Sequence, residues 1–188
     1  MVMETRPIAF VDVETTGGTA RDSRILEIGI IRVERGRVVA SMNQVLDPEE
    51  LVPHWITTLT GIAEHETRSK PVFLDVLPQL KELFYGAVFV AHNVTFDYSF
   101  FREEYRRANS TFAMDRLCTV RLSRALYPGE QSHRLDEVIR RSGYSVANRH
   151  RAYDDAEVLY KFWHDNVARL GPAEFYTLAN RLVQVAAP

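Results

Sequence analysis

Apolar residues run unbroken through Ile8-Ala9-Phe10-Val11, and then acids alternate with a valine at Asp12-Val13-Glu14. This pattern predicts a β-strand over residues 8–13, because a short apolar run closed by turn-forming Thr15-Thr16-Gly17-Gly18 suits an extended segment. Two further extended segments follow at 25–33 and 38–46, joined through Glu34-Arg35-Gly36-Arg37, which has the glycine and charge of a tight hairpin. The first strands therefore form an antiparallel meander. Residues 47–68 carry Pro48, Pro53 and Gly61 and read as a loop, with room for a short helix near 55–59. From Phe73 to Phe84 the apolar positions recur at helical spacing, and beyond Gly86 residues 87–91 form a short buried strand. The remainder turns helical at 97–108, 117–126, 134–141, 154–170 and 172–183, with Gly171 and Pro172 marking the last boundary. Residues 112–114 are the candidate for a fifth strand. Strands followed by alternating helix and strand imply an α/β domain, one mixed sheet with helices on its faces, with its core over about residues 7–170 of a single 1–188 domain.

Side chains two apart on a strand share a side, so Asp12 and Glu14 project together from a segment that wants to be buried. Two carboxylates in a partly dry site repel each other and lose hydration, and a divalent cation is the usual remedy. The bulk numbers narrow the context. At 188 residues and 46% hydrophobic, the chain can bury a substantial core. A formal net charge of −2 argues against a generic basic nucleic-acid coat but is compatible with a local basic groove. The single Cys118 leaves no internal disulfide and no cysteine zinc site, which suits a reducing, cytoplasmic setting. No apolar run approaches the roughly 20 residues of a membrane span, and no signal-peptide pattern is present.

Two more acidic sites follow. Asp97, in His92-Asn93-Val94-Thr95-Phe96-Asp97, lies between a strand and a helix, where an N-cap alone explains an aspartate. Strand ends at helix starts are also where α/β sheets gather functional groups, and His92 and Asn93 share that edge. In His150-Arg151-Ala152-Tyr153-Asp154-Asp155, helix phase separates the adjacent acids. Asp155 aligns with Leu159 and Phe162 and faces inward, whereas Asp154 aligns with Val158, Lys161 and Asp165 on a largely wet face. His150 must lie in the loop ahead of that helix, since five helical positions span about 140° of rotation.

Asp12-Val13-Glu14-Thr15-Thr16-Gly17, His92 through Asp97, and His150 through Asp155 together resemble the histidine-bearing branch of the DEDD superfamily of 3′→5′ exonucleases. That branch includes the epsilon-type proofreading subunit of bacterial DNA polymerase III, ribonuclease T and oligoribonuclease. The resemblance extends from Ile8 beyond Asp155. It implies a ribonuclease-H-like fold, a five-stranded mixed sheet flanked by helices, and two divalent cations, Mg²⁺ or Mn²⁺, on hard oxygen ligands. It further implies that Asp12 bridges the ions, that Glu14 and Asp155 hold one and Asp97 the other, and that His150 is the general base. By the same resemblance, Thr15 and Thr16 border the 3′ terminus, Leu59 and Ile62 wedge against the last bases, Phe101 stacks nearby, and His92 and Asn93 position the phosphate or Asp97. Arg149 and Arg151 flank the histidine with charge suited to phosphate, or to a solvated loop.

The expected substrate is a single-stranded or frayed 3′ end of DNA, hydrolysed to nucleoside 5′-monophosphates in proofreading or repair, with a polymerase or repair complex as partner. RNA is the alternative substrate, and a non-catalytic nucleic-acid or polymerase-docking module is the third reading. Other signals count for less. His54, His65 and His164 form no ligand pattern, and His133-Arg134-Leu135-Asp136 reads as a helix start that could also touch substrate. Gln79 to Phe84 is loosely similar to a sliding-clamp-binding peptide, but its Leu80, Leu83 and Phe84 fall on an apolar helix face.

Overall fold

A computed structural model describes residues 2–186, so the outer limits of the expected 1–188 domain lie outside the described residues. After a short helix α1 (Val2–Thr5), strands β1 (Ile8–Thr15), β2 (Ile25–Glu34) and β3 (Arg37–Val45) form the antiparallel meander that the sequence pattern predicts. Helices α2 (His54–Thr60), α3 (Glu64–Thr67) and α4 (Phe73–Phe84) lead to β4 (Val88–Ala91) and α5 (Thr95–Arg107). The chain continues through β5 (Arg116–Cys118), α6 (Thr119–Leu126), α7 (Leu135–Ser142), α8 (Ala152–Leu170) and α9 (Pro172–Leu182). The sheet order is β3-β2-β1-β4-β5, with β4 parallel to both β1 and β5, so the sheet is mixed and five-stranded.

Alternation along β1 sorts two half-cores onto opposite faces. Ala9, Val11 and Val13 join a cluster with α4 and α5, while Ile8 and Phe10 join one with α8 and α9. Asp12 and Glu14 continue the second set and so emerge on the α8 face. Because β1 and β4 run parallel, their carboxyl ends lie at one sheet edge, where open α/β sheets bind ligands.

The fifth strand is at Arg116–Cys118, not at 112–114, and the helix expected from 117 begins at Thr119. Phe112 is instead a buried plug whose ring contacts Phe84, Phe89, Tyr98, Phe101 and Tyr105. The loop expected over 47–68 contains two short helices, and none of the described helices is long and apolar enough to cross a membrane.

Candidate active site

The first acid pair and the last acid meet because of two residues on β2. In the β1–β2 register Asp12 faces Gly29 and Glu14 faces Glu27, so all four point to the α8 side. A Cβ on Gly29 would fall 2.2 Å from the carbonyl carbon and oxygen of Ala152, so only glycine lets the first turn of α8 settle on the sheet. Glu27, fully buried, accepts the Ala152 backbone N–H at 2.9 Å and the Arg151 Nε at 3.0 Å. That clamp fixes the N-terminus of α8 and with it Asp155, which is buried as the helix phase predicts. Asp154 has a separate task. Its Oδ2 accepts the Asn148 backbone N–H at 2.9 Å and the Asn148 side-chain amide at 3.1 Å, fastening the loop that carries His150.

Asp97 enters from β4 and α5. The chain turns sharply at Asn93, whose φ of +60° is a conformation asparagine tolerates better than most residues. Asp97 then falls in the first turn of α5 rather than at its N-cap, which is Val94, and its Oδ1 accepts the Val13 backbone N–H at 3.2 Å. One buried carboxylate thus ties α5 to the strand that carries the other two acids. His92 is held beside it by a 2.9 Å contact between its Nδ1 and the Thr119 hydroxyl at the head of α6.

These groups line a cavity of about 190 Å³ formed by Asp12, Glu14, Asp97 and Asp155 together with His92, Asn93, Arg149 and His150. The ligating atoms of Glu14, His150 and Asp155 all lie within 4.8 Å of one another. Asp155 Oδ1 is buried with no hydrogen-bond partner among the described residues, while its other oxygen receives the Arg149 guanidinium, which also holds Asp136 at 2.7 Å. Burial and the neighbouring carboxylates push the Asp12 carboxyl well above its usual range and Glu14 up to about 8. Burial also raises Asp97 to about 8 and Asp155 to about 6. Protons are held this tightly where negative charge lacks a counter-ion. The donors are hard oxygens with one oxygen left orphaned, so the set fits divalent cations of the Mg²⁺ and Mn²⁺ kind. Burial together with the Arg149 charge lowers His150, and burial foremost lowers His92 to about 4, which leaves both rings neutral at neutral pH.

The acids, His150, His92 and Asn93 thus share one cavity, while the other expected contact residues are placed differently. Phe101 has no exposed surface, because it lies among Phe84, Phe89 and Phe112, so its ring is unavailable to a base. Ile62 is buried against Leu26, Val52 and Ile56, and the exposed Leu59 lies outside the residues lining the acid cavity. The Thr15 hydroxyl donates to the Gly17 carbonyl at 2.7 Å, and Thr16 binds Glu50 and accepts the Arg24 backbone N–H at 2.9 Å, so both side chains brace the loop after β1. Arg149 and Arg151 are not loose loop charges, being paired with Asp136 and Asp155 and with Glu27. Sequence reasoning missed Glu27 and Gly29, although a charge and a glycine inside the apolar run Ile25-Leu26-Glu27-Ile28-Gly29-Ile30-Ile31 are the available signal.

The chain is similar to known proteins both in sequence and in fold. The RNase T family profile, described as exonuclease, matches residues 9–162. The PolC-type DNA polymerase III of Clostridium perfringens is 36% identical over 146 residues, covering 78% of this chain and 10% of that polypeptide. The 3′-5′ exonuclease DinG of Bacillus subtilis is 30% identical over 178 residues, covering 94% of this chain and 19% of that one. This chain therefore spans only about a tenth to a fifth of the length of those relatives. Among solved structures, exonuclease X in complex with 5′ overhanging duplex DNA superposes with a TM-score of 0.68 at 25% identity, covering 87% of this chain and 93% of that one. With the profile spanning most of the sequence, the chain belongs to the exonuclease family of the RNase T type.

Proposed function

We propose that this chain is a single exonuclease domain that hydrolyses the terminal phosphodiester bond at a 3′ end of DNA and releases nucleoside 5′-monophosphates. The observation that carries this reading is the cluster of half-buried Asp12 and Glu14 with buried Asp97 and Asp155 around one cavity, with a neutral histidine at its mouth. Asp12, Glu14 and Asp155 would hold one cation, and Asp12 and Asp97 the other. Two such ions, when bound, polarise the phosphate and stabilise the charge of an in-line displacement. His150 takes the proton of the attacking water, and its lowered pKa keeps the ring free to accept it. The new P–O bond forms as the bond to the 3′ oxygen breaks, so the strand leaves with a 3′ hydroxyl and the released nucleotide keeps its 5′-phosphate. The proton-rich acids must ionise to hold the cations, which makes ion loading steeply dependent on pH.

Support for DNA comes from relatives named as a DNA polymerase and from the DNA complex of exonuclease X. The relative named as a DNA polymerase supports a place beside a polymerase. The test is digestion of end-labelled single-stranded DNA, duplex DNA and RNA side by side with Mg²⁺ or Mn²⁺. Stepwise loss from the 3′ end of DNA, abolished by Asp12→Ala, is expected. Preferred attack on RNA would reassign the substrate, and unchanged digestion by Asp12→Ala would remove the nuclease reading altogether.

A further inference from the structure

Beside the acid cavity lies a cleft of about 800 Å³, far larger than the 190 Å³ that the acids enclose. The two are continuous, because His92, Asn93, Leu135 and Arg149 line both. Arg124, in the last turn of α6, and Arg134, at the N-cap of α7, both line this cleft. Their setting differs from that of the arginines tied up in ion pairs. Arg6, Arg24, Arg32, Arg107, Arg149 and Arg151 are each engaged with carboxylates. Arg124 and Arg134 are exposed, and among the described residues neither guanidinium is in an ion pair with an acid. Two carboxylates also line the cleft, Glu130 and Asp136, and Asp136 is paired with Arg149, whose charge Asp155 shares, so the two unpaired guanidinia are the cleft's uncommitted cations. Val120, Pro128 and Leu135 supply apolar wall between the charges.

Two unpaired cations beside apolar wall, opening directly onto a phosphate-cleaving cluster, suit a polyanion with flat apolar groups along it. We infer that this cleft holds the strand upstream of the scissile bond, with Arg124 and Arg134 binding its internucleotide phosphates and thereby setting the preference for long strands over isolated terminal esters. The inference rests on the exonuclease reading, and its consequence is that substrate length is sensed on α6 and α7, away from the acids.

The experiment compares the full chain with the Arg124→Ala/Arg134→Ala double variant on two substrates. One is a single-stranded DNA dodecamer, and the other is the p-nitrophenyl ester of thymidine 5′-monophosphate, which has no upstream strand. The expected result is that the ratio of kcat/KM for the dodecamer to that for the ester falls about tenfold or more. The slope of log KM for the dodecamer against log salt should also flatten by about 0.7 per phosphate contact removed, or about 1.4 for the pair. Arg124→Lys/Arg134→Lys keeps both charges and should retain most of the salt slope. An unchanged substrate ratio and salt slope in the alanine variant would overturn the assignment. Should the unaltered chain hydrolyse neither substrate, the exonuclease reading fails separately. Anisotropy of a labelled dodecamer in chelator then still decides, because equal affinity of the two proteins overturns the cleft and weaker, less salt-sensitive binding by the variant supports it.

Discussion

His150 presents its imidazole from a backbone with φ of +64°, a left-handed conformation that costs a non-glycine residue energy and persists only where the surroundings enforce it. The enforcement comes from Arg149 on one side, Arg151 on the other, and Asp154 gripping Asn148. His150→Gln should therefore lower kcat by about 10²–10⁴-fold, the usual worth of a positioned general base, while leaving the melting temperature nearly unchanged. Equal kcat values for the two proteins would assign the proton transfer elsewhere. The adjacent acids should separate as sharply. Asp155→Asn is expected to remove turnover, whereas Asp154→Asn should reduce it only modestly by loosening the loop. Helix phase alone distinguishes these two acids, since Leu159 and Phe162 fix which side of α8 is buried. Phe101 and Ile62 are harder to place, because an apolar side chain reads alike whether it faces a groove or a core, and here the neighbouring aromatic rings claim Phe101.

The pairing of β2 with the head of α8 is the joint on which the site depends. Gly29→Ala forces a methyl into the Ala152 backbone and should cost roughly 1–3 kcal/mol or more, as overpacking does, with loss of cation binding because Asp155 moves with the helix. Urea unfolding and Mn²⁺ titration by calorimetry check both effects, and wild-type affinity in this variant would show that α8 docks by other means. Glu27→Ala leaves the Ala152 N–H buried without an acceptor and should lower stability by a few kcal/mol. Elements with long periodic patterns, such as α4 and α8, are legible in the sequence to within two residues of their ends. β5 is not, because three residues are too few to show alternation, and Leu117-Cys118 extend the apolar spacing of the helix that follows them. The register that sets Gly29 opposite Asp12 is equally hidden, being decided by a bulge between Glu14 and Thr15 and by the α8 contact.

Across the whole molecule, acids from positions 12, 14, 97 and 155 come together only when the chain is folded, so proton and cation binding are linked to stability. Glu14 and Asp97 keep their protons up to about pH 8 when folded, but carboxyls in an unfolded chain lose theirs near pH 4. Over that window the folded state binds more protons, and the cation-free protein should lose stability as pH rises. His92, titrating at about 4 when folded and about 6.5 when unfolded, and His150, also lowered, act in the opposite sense, but above about pH 6.5 an unfolded histidine is largely neutral too, so the carboxyls set the slope there. Scanning calorimetry should find a lower melting temperature at pH 8.5 than at pH 5.5 without divalent ions. Mg²⁺ or Mn²⁺ should stabilise far more at the higher pH, and equal stabilisation at both would contradict the raised carboxyls. The rivets around His150 have a last consequence for chain length. Arg149 and Arg151 anchor that short stretch to α7, α8 and β2, while Ser145 and Ala147 just upstream are exposed. Extra residues spliced in near Ser145 would bulge outward and be absorbed, but a single residue added between Arg149 and Ala152 would break the spacing between the anchors and swing the imidazole away from the acids.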